Sequence, residues 1–354
     1  MKLLVLPGDG IGPEITEATL AVLQAVDRRL AVGLSYEHDR IGFPALEQDG
    51  STFPDRVREK VAHCEGVILG PVSHLDYPPR EQGGINPSGE FRVKWDLYAN
   101  IRPAKSRLGV SRVGVPMDLI IVRQCTEGFY ADRNMYMGVG EFMPTPDIAL
   151  AVRKVTAEAA RKIAIVSFDL ARARRRKVTV VHKQNVMKMS DGLWLREARA
   201  VAKDYPDVEV DEKIVDATAA LLVRDPSKFD VLMCENMFGD ILSDEAGELS
   251  GSLGLAGSTN QGDHFCVAQA QHGSAPDIAG RGLANPTSLI LSAGMLLDWH
   301  GRRAGSARHV EAAALIERAI DAVLADPAHR TGDLGGPLGT REFTAEVVRA
   351  VSAP

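Results

Sequence analysis

A short apolar strand that runs straight into a helix bearing two carboxylates limits what this chain can fold into more than any other stretch. Residues 229–258 read FDVLMCENMFGDILSDEAGELSGSLGLAGS. Asp240 and Asp244 are four residues apart, so on a helix they project from one face, one turn apart, near its N-terminal end. Two like charges there repel. The helix macrodipole offsets only roughly 0.3–1 kcal/mol per favourable charge, so a paired-carboxylate site calls for a cation or a bound proton. All-oxygen ligands suit Mg²⁺ or Mn²⁺, and no CxxC or HExxH pattern argues for zinc. A lone DxxxD is ordinarily a first-turn charge beside a solvated one. Here Asn236, Phe238 and Gly239 precede the pair directly after the strand, which puts the carboxylates at a strand-to-helix junction, where open α/β sheets place ligand sites.

The 354 residues suffice for two domains or one large α/β unit, and 45% apolar with 25% charged residues is ordinary for a soluble globular protein. A formal charge of −6 argues against a nucleic-acid partner. The one basic run, RARRRK at 172–177, reads as a solvated helix end. Cys64, Cys125, Cys234 and Cys266 are widely spaced, which fits reduced thiols. The opening MKLLVLPGDG is cut by Pro7-Gly8 too early for a signal peptide, and no span reaches the apolar length of a membrane helix. The expectation is a cytoplasmic enzyme with no membrane partner.

KLLVLPGDGIGPEITEATLAVLQAV reads as a buried strand, a glycine-rich turn and an amphipathic helix beginning near Pro13. Gly8, Gly10 and Gly12 give GxGxG rather than GxGxxG, so the dinucleotide fingerprint fails. Either a tight turn or a phosphate cradle fits those glycines. Further strands are expected in LSYEHDRIG and EGVILGPVSH. Arg92, Arg102 and Arg123 fall near strand ends, where guanidinium forks could hold a di- or tricarboxylate, although each alone is more often a surface ion pair. Tyr130 lies in a turn-rich loop where a packing role is the commoner one. Residues 144–176 carry a helical pattern with Ala- and Val-rich faces, and VTVVHK is a strand ending at Lys183. A lysine there is a candidate base if its neighbours lower its pKa. Asp216 approaches an apolar helix face, whereas Asp211 sits in a charged DEK cluster. Beyond residue 258, His272, Gly273, Ser274 and Asp277 precede Asn285-Pro286, a pattern that suits either an adenosine pocket or an Ω-like loop.

The ordered set LPGDGIGPE, DLYANIRPA, VRQCTEGFY, VHKQNV, NMFGDILSDEAGELSGSLGLAGS, HGSAPDIAGRGLANP and GDLGG resembles the β-decarboxylating dehydrogenases of the isocitrate/isopropylmalate family. The resemblance implies an α/β fold with mixed sheets flanked by helices and a nucleotide site that is not Rossmann-type. It implies a nucleotide-binding domain of residues 1–97 plus 250–354, and a central substrate and dimerisation domain of residues 98–249. It further implies a homodimer with an active site shared between subunits. Arg92, Arg102 and Arg123 would grip the carboxylates of a malate core. Asp240 and Asp244 would hold Mg²⁺ or Mn²⁺ with Asp216 of the partner subunit. Lys183, also from the partner, would assist removal of the hydroxyl proton, and Tyr130 would protonate the enolate. His272, Gly273, Ser274, Ala275, Asp277, Ile278 and Asn285 match the adenosine loop. Asp277 and Ile278 resemble the NAD-using members, since an acidic residue there accepts from a ribose 2′-hydroxyl and repels a 2′-phosphate.

Two usual glutamates are replaced, by Gln124 and Gln269, which removes charge while keeping hydrogen bonding. Ahead of Arg92, where isopropylmalate enzymes resemble one another in placing leucines, this chain offers Asn86, Ser88 and Gly89. An apolar substituent would leave Asn86 and Ser88 unpaired at roughly 1–3 kcal/mol each if buried. The reading is oxidative decarboxylation of a 3-substituted (2R)-malate of isocitrate-, homoisocitrate- or tartrate-like kind. The alternatives are 3-isopropylmalate and, from the two glutamines, a non-catalytic regulatory paralogue.

Overall fold

The computed structural model describes residues 1–130, 135 and 137–353. Its strands, in chain order, are β1 (Lys2–Leu6), β2 (Ser35–His38), β3 (Gly66–Leu69), β4 (Ala99–Lys105), β5 (Asp118–Gln124), β6 (Glu141–Thr145), β7 (Ile148–Ala151), β8 (Lys177–His182), β9 (Glu209–Ile214), β10 (Val231–Cys234), β11 (Thr259–Gln261) and β12 (Cys266–Gln269). The helices are α1 (Gly12–Leu30), α2 (Phe43–Asp49), α3 (Asp55–Val61), α4 (Pro87–Lys94), α5 (Ala157–Arg172), α6 (Ser190–Ala202), α7 (Val215–Arg224), α8 (Asn236–Ser250), α9 (Thr287–Ala304), α10 (Ala307–Ala325) and α11 (Thr340–Ser352). No described helix is long and apolar enough to cross a membrane.

Ten strands form one sheet in the order β2-β1-β3-β12-β11-β4-β5-β10-β8-β9. Both flanks are parallel, whereas β11 pairs antiparallel with β12 and β4, and β4 antiparallel with β5. That antiparallel centre is incompatible with a doubly wound Rossmann sheet, in agreement with the failed glycine fingerprint. Side-chain alternation assigns the faces. Leu3 and Val5 of β1 join a core with α1, α9, α10 and α11, and Leu4 and Leu6 join the opposite one with α3 and α4. In the other half, Val231 and Met233 of β10 pack on α5 and α6, while Leu232 and Cys234 face α8.

The chain departs from the sequence expectation in two places. The helical pattern read over residues 144–176 begins as a strand hairpin, β6–β7, and turns helical only at Ala157. Every residue of those two strands is exposed, so no buried face imposes a readable period. The basic run is not purely solvated either. Arg174 bonds Asp230 and Asp118, and Arg175 bonds the Asp118 and Phe229 carbonyls, tying the start of β8 to its neighbours.

The glycine-rich turn after β1 is a packing device. A Cβ at Gly10, whose φ is 57°, would lie 2.0 Å from the Ser274 carbonyl oxygen, and the Ile11 N–H donates to that oxygen at 2.9 Å. Asp9 in this turn is buried and accepts from the Phe43 N–H (2.8 Å), the Ser73 N–H (2.9 Å) and the Tyr77 hydroxyl. Burial, with Asp9 alongside, pushes the Tyr77 phenol up, so it stays a donor. Asp9→Asn places an amide NH₂ against at least one of these donors and should lower the unfolding free energy by about 1–3 kcal/mol. Urea melts read this directly, and an unmoved midpoint would refute the keystone role.

Candidate active site

The centre of the sheet carries its charges on the face covered by α8. Along β5, Leu119 and Ile121 pack toward α8, and Arg123 continues the same alternation. On β4, Ala104 lies on that face, which puts Arg102 and Asn100 there too. Cross-strand register aligns Asn260, Asn100, Arg123 and Cys234 in one row across β11, β4, β5 and β10. Gly239 lets the helix come close: a Cβ there would meet the Arg123 Cβ at 2.7 Å. The sequence thus replaces two apolar positions with arginines and supplies the glycine that admits them.

Arg102 and Arg123 are 7% and 2% exposed, which makes their compensation decisive. Arg102 donates from Nε to Asn100 at 2.6 Å and from Nη1 to Ser243 (2.7 Å), Asp240 (3.2 Å) and Asp244 (3.4 Å). Arg123 donates from Nε and Nη2 to Asn236 Oδ1, at 2.9 and 2.7 Å, and from Nη1 to Asp240. Burial depresses both guanidinium pKa values; Arg102 and Arg92 depress that of Arg123 further, and Asp240 opposes the fall. Guanidinium does not give up its proton in proteins, so the depression records first the cost of burying the charge and then the crowding of like charges. An anion entering this space relieves it.

That space is a cavity of about 260 Å³ lined by Asn86, Ser88, Arg92, Arg102, Arg123, Tyr130, Asp240, Gln269, Gln271, His272 and Gly273, with neighbours from residues 71–74, 258 and 270. The Tyr130 hydroxyl donates to Asp240 Oδ2 at 3.3 Å, and the Arg123 guanidinium lies 5.8 Å from the centre of its ring. Asn86 caps α4, its Oδ1 accepting from the Gly89 N–H at 3.2 Å. Arg92 donates to Asn260 at 3.0 Å, and Gln269 donates to Ser88 at 2.7 Å. Gln124 is buried behind the cavity, its amide tied to Thr126 and to the Glu127 N–H. Sequence reasoning gave no role to Asn100, Ser243, Asn260 or Gln271. Asn100 alone left a trace, two residues before Arg102 on the same strand face.

Asp240 and Asp244 do lie one turn apart on α8, half-exposed and exposed, and Asp244 also accepts from Gln271 at 2.9 Å. Two carboxylates on one face suit a hard divalent cation, although in this chain both oxygens of Asp240 are engaged, Oδ1 by Arg102 and Arg123 and Oδ2 by Tyr130. Asp216 does not join them. It heads α7 in an ion pair with Lys183, which lowers its pKa, and no group of three His, Cys, Asp or Glu among the described residues could hold a metal. One chain therefore supplies two of the three expected carboxylates together.

The adenosine-loop residues occupy 272–285. His272 is kept neutral by burial, its Nδ1 meeting the Gly273 carbonyl at 2.9 Å while its Nε2 is buried with no partner among the described residues. A Cβ at Gly273 would meet nothing within 4 Å, so there is room beside that ring. Ser274 reaches back to Ser73 at 2.7 Å, Ala275 takes a left-handed turn at φ 39°, and Ile278 packs against the first core. Asp277 is exposed. Asn285 donates to Asp333 at 3.1 Å and accepts from the Thr287 N–H at 3.0 Å. An orphaned ring nitrogen, open backbone and an exposed carboxylate fit a nucleotide.

The family model described as isocitrate/isopropylmalate dehydrogenase matches residues 2–351. The chain is 40% identical to an isocitrate/homoisocitrate dehydrogenase of Thermus thermophilus over 356 residues, 99% of each chain. It is 38% identical to a 3-isopropylmalate dehydrogenase of Archaeoglobus fulgidus over 347 residues, 98% of each. The crystal structure of isocitrate dehydrogenase from Methylococcus capsulatus superposes with a TM-score of 0.87 at 37% identity, covering 99% of both chains. With motifs, sheet order and relatives in agreement from end to end, this chain belongs to the isocitrate/isopropylmalate dehydrogenase family.

Proposed function

We propose that this dehydrogenase uses NAD and Mg²⁺ or Mn²⁺ to oxidise and decarboxylate a 3-substituted (2R)-malate, with an isocitrate-, homoisocitrate- or tartrate-like substituent. The carrying observation is the convergence of Arg92, Arg102, Arg123, Tyr130 and Asp240 on one cavity whose positive charge is under-compensated. The arginines bind the malate carboxylates and fix the C2–H bond toward the nicotinamide. Tyr130 holds a phenolic proton that it can deliver to C3 once carbon dioxide has left. A divalent cation on Asp240, Asp244 and Asp216 of a second copy would supply Lewis-acid polarisation of the C2 oxygen. In this reading Lys183 of that copy takes up the hydroxyl proton.

A homodimer is supported by where apolar surface lies exposed. Ile241, 60% exposed, sits next to Asp240; Val186 and Met189, 68% and 88% exposed, follow Lys183; Val223, 60% exposed, shares a helix with Asp216. The β6–β7 hairpin adds Phe142, Met143, Ile148 and Leu150, all exposed. Apolar surface of this extent flanking both half-sites is what a two-fold pairing would bury. The buried cores also support the two-domain division: two draw buried residues from 3–68 and 255–351 or from 4–97 and 267, and two from 98–233 or 104–246. The described cysteines, buried and not joined in disulfides, accord with a cytoplasmic setting. 3-Isopropylmalate is the second reading, favoured by the names of several relatives and opposed by the polar lining at Asn86, Ser88 and Gln269.

Purified protein with NAD and Mn²⁺ should reduce NAD on at least one carboxy- or hydroxy-substituted malate, read by NADH absorbance. Binding of such a malate without turnover would favour the regulatory paralogue. Mixing inactive Lys183→Met and Tyr130→Phe dimers under subunit exchange should restore about a quarter of wild-type activity, because each mixed dimer regains one intact site of two. No regain, with exchange verified by mass spectrometry, would contradict the shared site. Asp277→Lys should move cofactor preference toward NADP by about tenfold or more, by replacing a repelled 2′-phosphate contact with an attractive one. An unchanged NAD-to-NADP ratio of kcat/KM would remove Asp277 from the ribose contact.

A further inference from the structure

Three side chains that line the cavity, Arg92, Gln269 and Ser88, are joined through Asn260 in a hydrogen-bond relay whose direction is fixed at one end. Arg92 Nε donates to Asn260 Oδ1 at 3.0 Å, Asn260 Nδ2 donates to Gln269 Oε1 at 3.3 Å, and Gln269 Nε2 donates to the Ser88 hydroxyl oxygen at 2.7 Å. Arginine can only donate, so it sets the Asn260 amide with its oxygen toward Arg92. Turning either amide over would set donor against donor or acceptor against acceptor, so the orientation of both follows from hydrogen-bond chemistry. The last link leaves Ser88 as acceptor toward Gln269. Its own proton is then the group presented to a ligand.

Asn86 is committed in the same sense. Its Oδ1 accepts from the Gly89 N–H at the cap of α4, which leaves its amide N–H₂ as the end that can meet a ligand. With Arg92, the cap and first turns of α4 give the cavity lining three donors. Glutamate at 269 would reverse the final link, since a carboxylate can accept from Asn260 and from Ser88 but donate to neither. Ser88 would then present lone pairs.

Resting on the reading of the site as a substituted-malate site, we propose that Gln269 is a specificity-determining positioning residue: acting through Ser88, it makes the pocket select a C3 substituent that ends in a hydrogen-bond acceptor, a carboxylate foremost. The glutamine that departs from the usual glutamate thus does more than remove a charge. It sets the polarity of a contact on the far side of the cavity wall.

The test compares isocitrate with 3-isopropylmalate on wild type, Gln269→Glu, Ser88→Ala and the double variant. Gln269→Glu should lower kcat/KM for isocitrate about ten- to a hundredfold, carried by KM, the loss of a hydrogen bond to a charged group. KM for NAD and kcat/KM for 3-isopropylmalate should change less than about threefold. Ser88→Ala should do the same, and the double variant should be no worse than the poorer single one, because both remove one contact. Equal losses on both substrates, or multiplying losses in the double variant, would overturn the proposal. If wild type turned over no member of a panel of carboxy- and hydroxy-substituted malates, the functional reading would fall and this one with it. If wild type were active and Gln269→Glu left the ranking unmoved, only the role of Gln269 would fall. Should Gln269→Glu fail to fold, as judged by circular dichroism, Ser88→Ala and Gln269→Met carry the comparison: Ser88→Ala should lose as much for isocitrate, Gln269→Met less because it leaves the Ser88 hydroxyl free to turn, and an unmoved ranking in both would refute the proposal.

Discussion

Two buried guanidiniums facing one helix set the terms for the rest of the molecule. Arg102 and Arg123 are almost fully buried at the middle of a ten-stranded sheet, and their nearest carboxylate is the same one. Asp240 is shared between them, and Asp244 contributes at the longer distance of 3.4 Å. Removing two such charges from water costs several kcal/mol apiece, and neutral amide and hydroxyl partners recover part of it. Asn100, Asn236 and Ser243 do that here. What stays under-compensated suits an anionic ligand.

The sheet topology makes this arrangement possible. In an all-parallel sheet, strand ends that carry functional residues point one way and helices cover both faces. Here β4 and β11 run against their neighbours, so the row Asn260–Asn100–Arg123 crosses the junction of the two parallel flanks. Residues 86–92 and 269–273 reach the same cavity from one flank, and α8 reaches it from the other. The glycines that matter serve approach rather than flexibility. Gly239 brings α8 onto Arg123, and Gly10 brings the first turn onto residue 274, beside the expected nucleotide loop.

How much of this was legible depended on whether a residue's role is local. The DxxxD pair, the strand before it and Arg123 at a strand end all follow from periodicity within a dozen residues, and all lie where that periodicity puts them. The hairpin at 141–151 was misread because both its strands face outward, so nothing buried punctuates them. The strands β11 and β12 are three and four residues long and sit in a stretch that reads as loop. Asn260 and Gln271 act on side chains 168 and 27 residues away, a relation that spacing cannot express. The resemblance to a family supplied roles for the motif residues, but it could not supply the direction of a hydrogen bond. Gln269 drew notice as a missing charge, and only its neighbours show it as a donor.

The pairing of Lys183 with Asp216 has a physical reading that ties the two halves of one chain together. Each is a group that would act in a site built by another copy, and within the chain each neutralises the other. Their turn is not isolated from α8. The Lys183 main-chain N–H donates to Asp191, whose other oxygen accepts from Arg153 at 2.6 Å, and Arg153 lies 3.6 Å from the carboxylate of Glu235 at the head of α8. Glu235 is buried and its pKa is raised by that burial, with Arg153 opposing the rise. A buried ion cluster of this kind contributes little net stability but fixes geometry, because any shift of one member leaves another uncompensated in low dielectric. The lysine end and the carboxylate-bearing helix are thereby held in one frame.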